Sequence, residues 1–190
     1  MGIVADIESL YKKVDGKVLI EVKLSSIMQL YNSFDPAPFH EKELDTDAEK
    51  YIIDTIKDLP AKTEVKLAIY LPPELSGSEG AKTLGSAIHN HFRSRTMVAE
   101  RNFRRHFRYG RVSLIIGLTF LAIALIARQM VSHISTLFLA QFFADALLII
   151  GWVAMWEPIT VLLYQLWPII QTKKVYEKAS TMEIEVLPSG

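Results

Sequence analysis

The sequence predicts an α+β cytoplasmic domain of about three strands with helices, carried on a two-helix transmembrane hairpin, with a C-terminal strand that returns to the sheet. Three observations predict it. Two apolar blocks, Val112–Ala127 and Ile134 to about Trp156, follow one another, and the second continues with interruptions to Ile170. Crossing ~30 Å of hydrocarbon takes roughly 20 apolar residues, and each block is read as one span. Three stretches outside them alternate apolar and polar side chains, which is the period of a half-buried strand. Basic residues flank both outer ends of the apolar region: seven arginines in 91–111, then Lys173, Lys174 and Lys178. The connection between the blocks offers only Arg128 and His133. Basic flanks mark the cytoplasmic side, so both termini are expected there. The expected organisation is a cytoplasmic domain over 1–92, a basic juxtamembrane helix over 93–111, the hairpin with an interfacial segment over 112–170, and a tail over 171–190.

Taken in order, Ile3, Ile7, Leu10, Tyr11 and Val14 fall at helical spacing and predict a short amphipathic helix over Ile3–Val14. Asp15-Gly16 is a turn signal. In Lys17–Leu24, Val18, Ile20, Val22 and Leu24 share one face, and a strand follows. Ser25 or Ser26 can cap a short helix through Ile27–Tyr31. Asn32–Asp45 holds two prolines and reads as a rigid connector. Thr46 to Glu49 fits a capping box, opening a helix that runs to about Asp58 and stops at Pro60. Glu64–Leu71 alternates as a second strand, and Pro72–Gly80 reads as a loop. A third helix begins near Ala81 and leads into the first apolar block. Thr181–Pro188 alternates as a third strand, too short to stand alone, and its natural partner is the N-terminal sheet.

The second span has two registers. One, Ser135–Trp156 with an interfacial segment from Glu157 to Ile170, is the slightly favoured one and puts Asp145 near the bilayer centre. The other, Ala146–Pro168, buries Glu157 instead. An acid near the centre costs ~2.5–3.5 kcal/mol on insertion scales.

Composition limits the chemistry. The chain has 190 residues, 21 basic and 21 acidic side chains, and no cysteine. Disulfides, thiolate metal sites and cysteine nucleophiles are therefore excluded. Acids crowd Asp35–Glu79 and arginines crowd Arg93–Arg111, so the basic cluster is a local device. The first residues carry acids early and no long apolar core, unlike a signal peptide. No phosphate-binding glycine loop or nucleophile elbow occurs, so no enzyme activity and no cofactor are expected.

Candidate functional residues are few. Arg101, Arg104, Arg105 and Arg108 fall on one helical face. That face reads as a plain topology determinant or as a site for anionic lipid headgroups. RNA is a lesser third reading, since headgroups compete first, and no nucleic-acid partner is expected. His40 and Glu41, with Asp35, Glu43 and Asp45 nearby, match no helix-borne metal pair and read as a structural connector. His89 and His91 diverge on a helix and read as helix surface or core edge. Asp145 is the most informative residue, because an intramembrane acid needs a partner. Arg128, across an antiparallel hairpin, is the nearest basic candidate, and Gln141 completes the intramembrane polar set. Two functions follow. One is a membrane-anchored, non-enzymatic accessory subunit, as a homo-oligomer or part of a larger complex. The other is an oligomeric channel or transport component lined by these polar residues.

Asp35–Asp45 (DPAPFHEKELD) with the downstream DAEKYIIDTIKDLP, and Gly151–Ile159 (GWVAMWEPI) with Leu163–Ile169 (LYQLWPI), resemble small prokaryotic two-span membrane proteins that carry no assigned activity. The resemblance covers most of the chain and implies a membrane location, but no functional residue. Such proteins often have a basic residue where this chain has Glu157, which favours a fixed charge at a membrane interface there.

Overall fold

The computed structural model describes residues 8–36, 42–134 and 138–189. The chain forms two compact units: residues 1–98 with 172–190, the sheet unit, and residues 99–171, the helical unit.

The sheet unit is mixed α+β. Its four strands are β1 (Lys13–Val14), β2 (Lys17–Lys23), β3 (Val65–Leu71) and β4 (Glu183–Pro188), in that spatial order. Asp15 and Gly16 take positive φ values of 53° and 80°, which close the β1–β2 hairpin in two residues. β2 and β4 both run parallel to β3, with Val18 opposite Val65 and Leu67 opposite Ile184. Parallel neighbours need long crossovers. Helix α1 (Thr46–Asp58) lies in the first, and the whole helical unit lies within the second.

Alternation sorts the sheet into two faces. Val18, Ile20, Val65, Leu67, Ile69 and Leu71 pack against Ile52, Ile53 and Ile56 of α1 and against Leu84, Ile88 and Phe92 of the long helix α3 (Glu79–Ile134). The other face carries charges around the buried Leu19 and Ala68. Lys66 bridges Glu183 Oε1 at 2.7 Å and Glu185 Oε2 at 2.9 Å, and Lys17 reaches Glu183 at 2.8 Å. Hydrogen bonding to Glu183 and then Glu185 holds the Lys66 ammonium above the ordinary lysine range. Lys17 and then Lys66 bring Glu183 down to about 2. Opposite charges side by side on neighbouring strands thus reinforce the register that the apolar face sets.

Local chemistry overturns four expectations. The helix over Ile3–Val14 is not formed in its described part: Glu8–Leu10 makes one 3₁₀ turn and Lys13–Val14 is strand. The tight Asp15–Gly16 turn brings that segment back into pairing, and residues 1–7 lie outside the described ones. The cap of α1 is Asp45, not Thr46: Asp45 Oδ1 accepts from Asp47 N at 2.9 Å. Glu49 does not turn back on its own helix, because other partners take its carboxylate. Pro72–Gly80 is not an open loop. Pro73 starts a one-turn helix α2 (Pro73–Ser76), and Ser78 Oγ accepts from Ala81 N at 3.2 Å at the entry of α3. The sheet also has four strands rather than about three, the extra one being the two-residue β1.

Other expectations hold. Ser26 caps the 3₁₀ turn Ile27–Leu30, accepting from Met28 N. Residues 37–41 of the connector lie outside the described ones, and its neck is closed by a bridge between Tyr31 and Leu44, by Asn32 N on Glu43 O (3.0 Å) and by Asp45 N on Leu30 O (2.9 Å).

The helical unit pairs the later part of α3 with a second helical run: α4 (Phe138–Ala154), α5 (Trp156–Thr160), a π turn (Val161–Gln165) and α6 (Leu166–Thr181), of which the unit holds the part up to Gln171. Both helical runs are long and apolar enough to cross a membrane. Added Cβ atoms at Gly110, Gly117 and Gly151 would meet Val161, Ala154 and Ala124 respectively, at 2.9–3.1 Å. Partner numbers fall as α3 numbers rise, the order of an antiparallel pair. The α3 seam Gly110, Gly117, Ala124 repeats every seven residues, and small side chains there let backbones approach. Prolines explain the breaks opposite. Pro158 cannot donate to Ala154 O, and the helix breaks at Met155. Pro168 cannot donate to Tyr164 O, and the preceding turn widens so that Leu166 N bonds Val161 O. Large apolar side chains on both helices face outward: Ile116 is 64% exposed, Ile126 60%, Phe143 68% and Val153 66%.

Candidate functional site

Among the described residues, the sheet unit holds a largely buried charge cluster away from the Lys66 face. Glu49 stands in the first turns of α1, His91 and Arg95 one turn apart on α3, and Tyr176 on α6. Glu49 Oε2 accepts from His91 Nε2 at 3.0 Å and from Arg95 Nε at 3.1 Å, with the Arg95 guanidinium also reaching it at 2.9 Å. Glu49 Oε1 accepts from Tyr176 Oη at 2.9 Å. The other imidazole nitrogen, Nδ1, accepts from Leu44 N at 3.2 Å, which fixes the tautomer that donates to Glu49. One carboxylate therefore ties α1, α3, α6 and the end of the connector. The His91 side chain is only 4% exposed and that of Glu49 12%. Beside them lies a shallow cleft of about 290 Å³ bordered by Lys42, Asn90, Ser94 and Arg95.

Burial pushes the Glu49 carboxyl up, but hydrogen bonds from His91 and Tyr176 and the Arg95 charge outweigh it and bring it down to about 2. Burial, then the bond to Glu49, pushes the Tyr176 phenol up to about 12. The two values fix a pH window. The Glu49 value lies below its free value of 4.5, so its contribution is present above 4.5 and is lost as pH falls towards 2. Each tenfold change in proton affinity is worth ~1.36 kcal/mol, so this contribution is on the order of 3 kcal/mol. The Tyr176 value lies above its free value of 10.0, so its contribution is present below pH 10.0 and is lost as pH rises through about 12. Thermal melts across pH should show wild type losing stability at both ends, and Tyr176→Phe with a weaker alkaline limb, what remains coming from groups such as Lys66. An unchanged alkaline limb in that variant rejects the assignment.

Sequence patterning puts His91 at helix surface or core edge and gives Glu49 only a capping role. The cluster's partners lie 42, 46 and 127 residues apart, beyond any local pattern. The one local signal is His91 and Arg95 at i,i+4. His89 does diverge from His91, its Nε2 meeting Met182 O at 2.8 Å. His40 and Glu41 lie outside the described residues, while Asp35 accepts from Glu43 N at 2.7 Å. Among the described residues, no group of three or more His, Asp or Glu is placed to hold a metal ion.

In the helical unit, Arg101, Arg104, Arg105 and Arg108 are all exposed, and Arg104 Nε bonds Glu100 at 2.8 Å. Arg128 Nε donates to Asp145 Oδ1 at 2.9 Å, the pair that the sequence suggests. Gln141 is exposed and is not brought to that pair by any described hydrogen bond. Tyr109 Oη donates to Glu157 at 3.2 Å. In mild detergent, a double-mutant cycle on Asp145→Asn and Arg128→Gln should show a coupling of up to about 1 kcal/mol, since both side chains are half exposed. Additive effects would show that the contact contributes nothing. Comparison with protein-family models, curated proteins and solved structures finds no match to this chain.

Proposed function

We propose that this chain is a membrane-anchored, non-enzymatic accessory subunit that holds a small α+β domain at the cytoplasmic face of the inner membrane. The observation that carries the reading is the position of β4. It follows both apolar helices in sequence, yet it pairs with β3, which precedes them. A chain that leaves a sheet, crosses a bilayer and returns to the same sheet must cross an even number of times. Two crossings fit the two apolar helices, and the outward Ile116, Ile126, Phe143 and Val153 suit hydrocarbon. The arginine-rich end then faces the cytoplasm. The apolar stretch Val112–Ala127 is 16 residues, ~24 Å at 1.5 Å per residue, with Arg111 and Arg128 able to reach outward at its ends. On this reading, the Arg128 contact supports a position for Asp145 at the far end of that stretch, away from the bilayer centre. Tyr109, beyond Arg111, holds Glu157 at the other end of the stretch, so this reading keeps both acids at interfaces, with the span starting as in the Ala146–Pro168 register and ending as in the Ser135–Trp156 one.

The absence of cysteine makes the test direct. Single Asp15→Cys, His133→Cys and Ser189→Cys variants are probed in intact and permeabilised cells with a membrane-impermeant maleimide. Asp15→Cys and Ser189→Cys should label only after permeabilisation, and His133→Cys in intact cells. Opposite behaviour of the two terminal positions rejects the reading. The second reading, an oligomeric channel component, is favoured by one observation: Arg128 and Asp145 remain 51% and 60% exposed in one chain, open to another copy. A defined ring in mild detergent supports it, and a monomer or mixed complex supports the accessory subunit.

A further inference from the structure

We propose that the outward arginine face of α3, Arg101, Arg105 and Arg108 with Arg104 beside them, is a docking surface for the anionic phospholipid of the leaflet that borders it. The inference rests on the membrane reading above and names the partner that reading leaves open.

Helical phase carries the first step. At ~100° per residue, Gly110 stands about 180° from Arg101, while Arg104, Arg105 and Arg108 fall within about 60° of Arg101. Gly110 and Gly117 face the second helix, meeting Val161 and Ala154. The arginines therefore face away from the protein's own packing seam. Arg104 is engaged by Glu100. Arg101, Arg105 and Arg108 supply three exposed guanidinium groups whose fork geometry suits phosphate oxygens.

Depth carries the second step. Gly110 lies level with Val161, so Tyr164 and Trp167, three and six residues further on, lie level with Arg104–Arg108. Tyr164 is 73% exposed and Trp167 63%. Exposed Tyr and Trp sit at headgroup depth, between acyl chains and water. An arginine face at the height of an aromatic belt meets lipid phosphates, and anionic headgroups attract it most. A topology determinant would need the charge but no particular lipid, and that difference is measurable.

The experiment uses the full chain in mild detergent, titrated with fluorescent phosphatidylglycerol and phosphatidylcholine. Wild type should prefer phosphatidylglycerol. The triple variant Arg101→Gln, Arg105→Gln, Arg108→Gln should lose that preference, by roughly fivefold per arginine and about 10²-fold for all three. The triple lysine variant at the same positions should keep most of it, because the attraction is largely coulombic. Equal affinity of wild type for the two lipids, or an unchanged preference in the glutamine variant, overturns the proposal. Tighter binding of a short RNA than of phosphatidylglycerol, abolished in the glutamine variant, overturns it in favour of nucleic acid. Maleimide labelling of Asp15→Cys and Ser189→Cys separates the two levels. Same-side termini without lipid preference reject this site alone, whereas opposite-side termini reject the membrane reading beneath it.

Discussion

Glu49→Ala should destabilise the sheet unit by about 3–5 kcal/mol, the range for removing one partner of a buried ion pair. The carboxylate is the common acceptor for His91, Arg95 and Tyr176. Its loss leaves the Tyr176 hydroxyl and the imidazole Nε2–H without an acceptor in a site where His91 is 4% exposed. Arg95 suffers less, since its side chain is 37% exposed and can turn to water. Glu49→Gln should cost less than Glu49→Ala, because the amide oxygen still accepts one of these bonds. Thermal melts in detergent, followed by a probe confined to the sheet unit, make the comparison. A loss under ~1 kcal/mol in Glu49→Ala would mean that water replaces the carboxylate and that the four groups do not act as one unit.

The contrast between this cluster and the sheet shows what was legible. Val18, Ile20 and Val22, then Val65, Leu67 and Ile69, then Ile184 and Val186 place their large apolar side chains at a period of two, which depends only on neighbours in sequence. β4 was readable as a strand that needs a partner for the same reason. β1 was not, because two residues carry no period, and its existence depends on the positive φ of Asp15 and Gly16. Helical spacing lost to that turn in the described part of Ile3–Val14. The Glu49 cluster was opaque because its members come from α1, α3 and α6. Arg128 and Asp145 were legible as candidates, since an antiparallel pair brings the end of one helix to the start of the next. The seam was present in the sequence as Gly110, Gly117 and Ala124, but nothing there identified its partner. The Pro158 and Pro168 breaks opposite decide how the second helix meets it.

Deleting Thr181–Gly190 should unfold the sheet unit altogether, an effect above ~5 kcal/mol, where a whole domain holds about 5–15. β4 contributes the parallel ladder Lys66–Glu183 through Leu71–Pro188 along all of β3 but Val65, and Ser189 N bonds Leu71 O at 2.6 Å. Without it, β3 becomes an edge strand, although Leu67, Ala68, Ile69 and Leu71 are fully buried in the intact unit. Met182 leaves the core, at ~1.5–3 kcal/mol for a fully buried side chain, and the partly buried Ile184 and Val186 leave its edge. Lys66, with a side chain only 11% exposed, loses both of its carboxylates at once. Glu183→Gln with Glu185→Gln isolates that last contribution, since the strand remains and only the charges go. This double variant should melt lower than wild type but still cooperatively, whereas the deletion should show no transition and rapid proteolysis of residues 8–98. Proteolytic resistance equal to that of wild type would mean that β1–β3 with α1 and α3 hold together unaided. The returning strand would then be an appendage, and the even-crossing argument would lose its support.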